Sequence, residues 1–431
     1  MATPQHESRR PEILRRLRLA GSLAVLQWMT QALGLVSGFF LLRWLSVRDY
    51  AEYTFAFAFA SMVSQLVDLG FLDSLIGLIG DRADDPEVIG SYMRAAMSLR
   101  GIMCGIALPV SAVPFVLIAS SHGWSYGLMA ALFASVILTL LTRAAADYYS
   151  VPVLLARRYG AIYAVQAPVA GLRLLCTAAL HFGRLLTGWV AALVNAAALA
   201  VTGAAMKRRS APLVNIPRDV NPRHRAEIVR VIAPLVPNQL FAALQGQVTV
   251  LIISVAGSTS GLAQVGALSR LAQLFVIVGV FNAYVIAPVI ARTTPEALAA
   301  RAAKLLGAVA AILGVGTVGA FIWPEPMLWF LGSHYHGLAD PARWYVLAGS
   351  LTAIGGTAYT MSIARRFVWW WGSLTQIALA LVAEVVAGFV LDLHRVLDLQ
   401  YFAVIVATTL LLTQLVVLVY GIRHGPRELV A

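Results

Sequence analysis

From residue 19 onward the chain runs in long apolar stretches broken by short polar ones, and strict alternation of apolar and polar positions is absent. An apolar run of about twenty residues spans the hydrocarbon core of a bilayer when helical. The lack of alternation argues against a membrane β-barrel. Helices are the remaining solution, because a helix satisfies its own backbone hydrogen bonds in lipid. The pattern predicts about twelve of them. The first six fall near 19–42, 52–78, 92–119, 124–148, 160–181 and 185–206. The second six fall near 231–256, 263–290, 303–323, 343–364, 367–391 and 399–422. Arg48-Asp49-Tyr50 reads as an outer turn before the second helix. Trp323 to Arg343 reads as a longer outer loop. The first run follows an arginine-rich leader, but it is long for a signal sequence and Gln27 and Gln31 interrupt it, so it reads as a retained helix.

The pattern breaks near the middle. Residues 207–230 carry Lys207, Arg208, Arg209, Arg218, Arg223, Arg225 and Arg230. This stretch reads as a cytoplasmic basic linker and hinge between two six-helix lobes, 19–206 and 231–431, with a basic N-terminus at 1–18. An ordinary loop inside one undivided bundle is the alternative. The expected fold class is an all-α integral membrane protein with two lobes around a central cavity.

Composition agrees. The chain is 60% hydrophobic and 12% charged, against about 25% charged in a soluble protein. A net charge of +12 would suggest nucleic acid in a soluble chain. Here the basic residues gather in every second connection: the N-terminus, Arg82 to Arg94, Arg157-Arg158, the linker, Arg292 to Lys304, Arg365-Arg366, and Arg423 to Arg427. That is the positive-inside distribution. It predicts cytoplasmic termini and removes the need for a nucleic-acid partner.

Signatures of catalysis are missing. No phosphate-binding glycine loop of the ATPase type occurs, so ATP hydrolysis is not expected. No enzyme constellation, cofactor site or metal site is expected. His334 and His336 sit two apart on an outer loop, a poor metal pair. Cys104 and Cys176 read as small buried residues. Trp369-Trp370-Trp371 reads as an interfacial anchor.

Ionisable residues inside apolar runs carry more information, because charge there usually faces a cavity or a partner. Arg173 is too deep in its helix to reach water easily, and Gln166, seven residues earlier, shares its face. A structural pairing with Glu384 is the alternative for Arg173. Arg270 shares a face with Gln273 and lies nearer an outer end, within reach of snorkelling. Gln27 and Gln31 on the first helix match Asn238 and Gln245 on the seventh, which points to a cavity lined from both halves; interhelical hydrogen bonds are the alternative. Arg100 and Arg143 read as interfacial. Glu384 and Asp68 are candidates for ion coupling or for structural pairing.

Several stretches carry a family resemblance. They are Arg48-Asp49-Tyr50-Ala51-Glu52-Tyr53, Leu66-Val67-Asp68-Leu69-Gly70, Arg157-Arg158-Tyr159-Gly160, Gln264-Val265-Gly266-Ala267-Leu268 and Leu331-Gly332-Ser333-His334-Tyr335. In order and spacing they resemble the polysaccharide flippases of the multidrug/oligosaccharidyl-lipid/polysaccharide exporter superfamily. Ala51 replaces the family's usual glycine, and Leu268 its usual aromatic. The resemblance implies a non-enzymatic flippase in the cytoplasmic membrane, working by alternating access. Its substrate would be a lipid-linked oligosaccharide on a polyprenyl pyrophosphate, destined for O-antigen, lipopolysaccharide or exopolysaccharide. It makes membrane lipids, a polysaccharide polymerase and glycosyltransferases the expected partners. The substrate would meet Arg173, Arg270, Gln166, Gln27, Gln31, Asn238 and Gln245. The alternatives are a multidrug or cationic-compound exporter, a scaffold for polysaccharide assembly, and a membrane glycosyltransferase.

Overall fold

The computed structural model describes residues 29–425, apart from residues 70, 72–74, 76–77, 80–81, 83–84, 157, 234–235, 332–336, 366 and 368. Among the described residues there is no strand, and nine helices are long and apolar enough to cross a membrane. The chain is a multi-pass, all-α membrane protein. The three other predicted spans fall on 29–44, on Val47–Asp68, and on a run that is broken in two.

The helices are α1 (29–44), α2 (Val47–Asp68), α3 (Pro86–Ser121), α4 (Tyr126–Leu155), α5 (Tyr159–Phe182), α6 (Gly188–Ser210), α7 (Pro222–Ile232), α8 (Val236–Gln245) and α9 (Val248–Ala256). They continue as α10 (Thr259–Leu268), α11 (Val276–Phe281), α12 (Ala287–Ala291), α13 (Pro295–Ile322), α14 (Glu325–Leu331), α15 (Ala339–Ala364), α16 (Trp370–Val390) and α17 (Val396–His424).

Several boundaries depart from the apolar pattern, each for a local reason. The expected outer turn at Arg48-Asp49-Tyr50 is instead the first turn of α2. Ser46 starts it: its Oγ accepts from the Asp49 amide at 3.1 Å, a serine N-cap, and donates to the Asp49 carboxylate at 2.6 Å. Arg48 and Glu52 then pair one turn apart at 3.4 Å. Helix α3 starts at Pro86, earlier than expected, because Asp85 caps it by accepting from the amides of Glu87 and Val88. The expected helix 231–256 is interrupted at Gly246-Gln247, which separates α8 from α9. The expected helix 263–290 tightens to a three-residue turn at Ser269–Phe275 and widens at Asn282–Ile286. The expected outer loop contains α14.

The chain forms two compact units. One holds Met1–Trp44 and Ala56–Ala243, the other Leu45–Phe55 and Leu244–Ala431. The linker therefore belongs to the first unit, and the opening turns of α2 belong to the second. In the first unit α4 and α6 lie close, because Gly203 of α6 meets Thr142, Ala145 and Ala146 of α4, the small-residue contact that membrane helices favour. Phe59 and Phe115 pack edge-on at 5.1 Å. In the second unit α15, α16 and α17 pack through Gly355 against Leu411 and Gly372 against Val417. Thr317 of α13 bonds Ser350 of α15 at 2.8 Å. Apolar side chains also cover outward faces, for example Ile312, Val315, Val318 and Ile322 along α13. That is the composition of a surface solvated by lipid rather than water.

Candidate functional site

In the first unit Arg173 is the central charge. It lies fourteen residues into α5, about 21 Å along the helix at 1.5 Å per residue. Its Nη1 donates to Asn195 Oδ1 of α6 at 2.9 Å. Its Nη2 lies 4.0 Å from where a Cβ on Gly34 of α1 would sit. Three helices thus meet at one guanidinium. Its Nε is shielded from solvent and meets no hydrogen-bond partner among the described residues. The amide of Asn195 accepts a hydrogen bond but does not neutralise the charge. Gln31 lies one turn before Gly34 on α1 and is exposed, and Gln166 is half-buried two turns before Arg173. Gln27 lies outside the described residues. Near the end of the same helices Trp44 stacks on His181 at 4.6 Å and on Phe40 at 4.4 Å, bracing α1 against α5.

A second charge centre in this unit pairs Asp68 with Arg100. Arg100, expected at the interface, is instead buried at 8% exposure, and it also donates to the Ala144 carbonyl at 3.3 Å. Arg143 lies 4.0 Å from Asp147. Burial explains the pairing: a guanidinium inside an apolar bundle is costly, so it pairs with an opposite charge or faces a cavity. The signal for it was present in the sequence as two isolated charges in facing apolar runs.

The second unit gathers a different set. Arg270 Nε donates to Tyr50 Oη at 3.0 Å, and that hydroxyl donates to the Gly266 carbonyl at 3.1 Å. The guanidinium also lies over the rings of Tyr53 and Tyr50, at 5.6 and 5.9 Å from their centroids, within range of cation–π attraction. Position 266 needs glycine because α2 crosses α10 there: a Cβ would stand 2.2 Å from Thr54 Oγ1. The sequence stretches Arg48 to Tyr53 and Gln264 to Leu268 are therefore two sides of one contact. Arg270 sits in the tightened Ser269–Phe275 segment, whose Phe275 ring covers Gly349 of α15.

Elsewhere in this unit the Gln245 side chain approaches the Glu384 carboxylate, and Glu384 Oε1 has no hydrogen-bond partner among the described residues. Gln376 and Gln414 bond each other across α16 and α17, and Asn282 accepts from Thr357 at 3.1 Å. Asn238 falls in α8, with its side chain outside those described. So in the first unit Arg173 meets Asn195 and the α1 backbone at Gly34, and in the second Arg270 bonds Tyr50 while Gln245 neighbours Glu384.

Cys104 is buried as expected, whereas Cys176 is exposed; it lies on the face of α5 that also presents Leu172 and Leu175. His334 and His336 lie outside the described residues. Among the described residues no three His, Cys, Asp or Glu side chains gather as a metal site.

The linker is held in place by side chains that sequence reasoning passed over. Asn215 N donates to the Pro86 carbonyl at 3.0 Å. Arg94 Nε donates to the Arg218 carbonyl at 3.1 Å. Ser91 Oγ bonds His224 Nδ1 at 2.7 Å, and the Tyr92 hydroxyl donates to Glu227. Tyr92 and His224 stack at 4.0 Å. Gly90 lets the linker backbone lie flat, since a Cβ there would meet the Asn215 carbonyl oxygen at 1.7 Å. Burial pushes the His224 imidazole below its usual range, against the pull of Glu227. The hydrogen bond from Tyr92, with Arg223 alongside, holds the Glu227 carboxyl below its own.

Residues 17–294 match the family described as polysaccharide biosynthesis protein. No curated protein sequence matches the chain. Two solved structures share its fold at a TM-score of 0.67. One is an inward-facing multidrug resistance MATE family transporter of the MOP superfamily, 15% identical, covering 91% of this chain and 93% of its own. The other is the lipid II flippase MurJ in an inward closed conformation, 9% identical, covering 92% and 86%. The Vibrio cholerae MATE transporter VcmN in its bent form is similar at a TM-score of 0.59, with 14% identity and coverage of 94% and 97%.

Proposed function

The chain belongs to the polysaccharide biosynthesis protein family, and from that premise we propose that it is a flippase for lipid-linked oligosaccharide. The substrate is a saccharide on a polyprenyl pyrophosphate, moved across the cytoplasmic membrane for surface polysaccharide. No covalent step is involved; the chain exposes its Arg173 locus alternately to the two sides. Both termini and the 207–230 linker are cytoplasmic.

One observation carries the reading: the Arg173 guanidinium lies deep in apolar helices with a neutral amide, Asn195, as its hydrogen-bond partner. An uncompensated guanidinium inside a membrane protein suits an anionic group, and its planar fork suits phosphate oxygens. The flanking amides of Gln31 and Gln166 suit sugar hydroxyls. Glu384, beside Gln245 in the other unit, is a carboxylate suited to ion coupling. A multidrug exporter of cations would place carboxylates at the first locus; helix α1 has none.

The test is a set of Arg173 variants read out by surface polysaccharide, accumulated lipid-linked precursor and membrane protein level. Arg173→Lys retains partial export, while Arg173→Ala and Arg173→Glu lose it with protein level unchanged. Normal export by a well-expressed Arg173→Ala protein rules the reading out. A fall in protein level that Glu384→Ala restores assigns Arg173 a structural pairing instead.

A further inference from the structure

Helix α7 of the linker has two unlike faces. One is pinned within the first unit. Ile228 and Ile232 are buried, His224 bonds Ser91, and Glu227 accepts from Tyr92. The other face is open. Pro222, Ala226, Val229 and Ala233 are all exposed, and their spacing of four, three and four aligns them on one helical stripe. At about 100° per residue, Arg223 and Arg230 flank one side of that stripe and Arg225 the other. All three arginines are exposed, Arg223 while its Nε donates to Glu227 at 3.2 Å.

The position of this helix in the chain matters. It begins about a dozen residues after the end of α6, a membrane-length helix closing with Lys207, Arg208 and Arg209. It ends just before α8 begins the next apolar run. The docking contacts on α3 hold it where the chain leaves and re-enters the lipid. A narrow apolar stripe between arginines is the arrangement of a helix lying in the bilayer surface, its stripe at the acyl boundary and its guanidinium groups among phosphates.

We infer that the open face of α7 is a docking surface for the headgroups of anionic phospholipids. Charge complementarity selects this occupant over a protein. The stripe offers two alanines, a proline and a valine, with none of the large anchors that dominate protein interfaces. Arginines on both sides of the stripe match a plane of phosphates. Each basic side chain near such a surface adds to the attraction. Fixed to α3 on one face and to the leaflet on the other, α7 moors the first unit to the membrane surface. The surface does not depend on what the protein transports.

The experiment uses the full chain with Cys104→Ser, Cys176→Ser and Ala226→Cys, labelled at residue 226 with an environment-sensitive nitrobenzoxadiazole. The protein is reconstituted into vesicles of phosphatidylcholine alone or with phosphatidylglycerol. The expected result is a blue-shifted emission about threefold or more stronger with phosphatidylglycerol. High salt reverses it, and Arg223→Gln, Arg225→Gln and Arg230→Gln together abolish it. Emission that is equal in the two vesicle types, or unchanged by the triple substitution, overturns the proposal. So does emission that shifts only when an isoprenoid diphosphate is added, which assigns the face to a transported lipid. A shift that needs an acidic polypeptide instead assigns it to a protein. The circular dichroism and elution volume of the triple variant show that its fold is intact.

Discussion

Replacing Gly266 by alanine puts a methyl group where α2 crosses α10. Its carbon would stand 2.2 Å from Thr54 Oγ1, 2.5 Å from Thr54 Cγ2 and 2.8 Å from Thr54 Cβ. All three separations are well inside van der Waals contact, and the last involves the Thr54 Cβ, which no rotamer change moves away. The two helices must part. Overpacking of this kind costs about 1–3 kcal/mol. Parting them also stretches the 3.1 Å bond from Tyr50 to the Gly266 carbonyl, worth about 1 kcal/mol. It further loosens the bond from Arg270 to Tyr50. The expected loss is therefore about 2–4 kcal/mol. Thr54→Ala removes the two nearer atoms, so the double variant Gly266→Ala with Thr54→Ala should recover about half. That coupling is large enough to resolve in a double-mutant cycle. The assay is thermal unfolding of detergent-purified protein followed by size-exclusion fluorescence, together with membrane protein level. If Gly266→Ala melts within a degree of the wild type, or if Thr54→Ala leaves its deficit unchanged, the crossing at residue 266 is not as close as described.

Three further outcomes are expected. Arg100→Ala strips Asp68 of its partner and should lower stability by about 1–3 kcal/mol, less than for a fully buried pair because Asp68 keeps 35% of its side chain exposed, with Arg100→Met plus Asp68→Leu recovering most of it; equal stability of Arg100→Ala and wild type in a melt contradicts this. The docked linker holds His224 neutral and Glu227 charged, so it resists protonation of both. The free segment takes up protons at higher pH than the docked one, so docking weakens first as pH falls below about 6.5 and again below about 4.5. The groups facing His224 are Ser91, Tyr92, Arg82, Arg223 and Glu227. Amide protection factors over 211–232, taken relative to the intrinsic exchange rate at each pH, should fall between pH 7.5 and 5.5, and His224→Phe should flatten that fall. Finally, cysteines at Ser121 and Asp219 should label from opposite sides of the membrane with an impermeant reagent; labelling of both from outside contradicts the topology.

The sequence made the helical class legible because apolar length is a property of each segment alone. Boundaries were less legible, because they depend on short polar signals. Ser46 with Asp49, and Asp85 with Pro86, begin helices that hydropathy places several residues later. The breaks inside apolar runs, at Gly246-Gln247 and at Ser269–Phe275, fall on short polar clusters, Gln245 to Gln247 and Ser269 to Gln273, which read as polar faces of continuous helices rather than as interruptions. Among candidate residues, Arg173 was found through its depth, whereas its partner Asn195 is an ordinary polar residue on the next helix and gave no periodic signal. Tyr50 and Tyr53 were noticed as parts of a motif; their contact with Arg270 spans 220 residues of chain and no local pattern encodes it. The linker read as a polar hinge because charge dominates it, yet Ile228 and Ile232, set four apart, carry the amphipathic signal of a docked helix.

The placement of residues 45–55 in the second unit has a consequence for biosynthesis. Tyr50 leaves the ribosome 216 residues ahead of Gly266, its acceptor. At about 5–20 residues per second, that interval lasts roughly 10–40 s. For that time the start of α2 exists without the surface it will cover, and the insertion machinery or lipid must shelter it. The same arithmetic bears on split chains. A C-terminal fragment from residue 244 onward lacks the strip that closes over Gly266 and Arg270, whereas an N-terminal fragment carries that strip with nothing to cover. The second unit is therefore complete only when a strip from the first half of the chain reaches it.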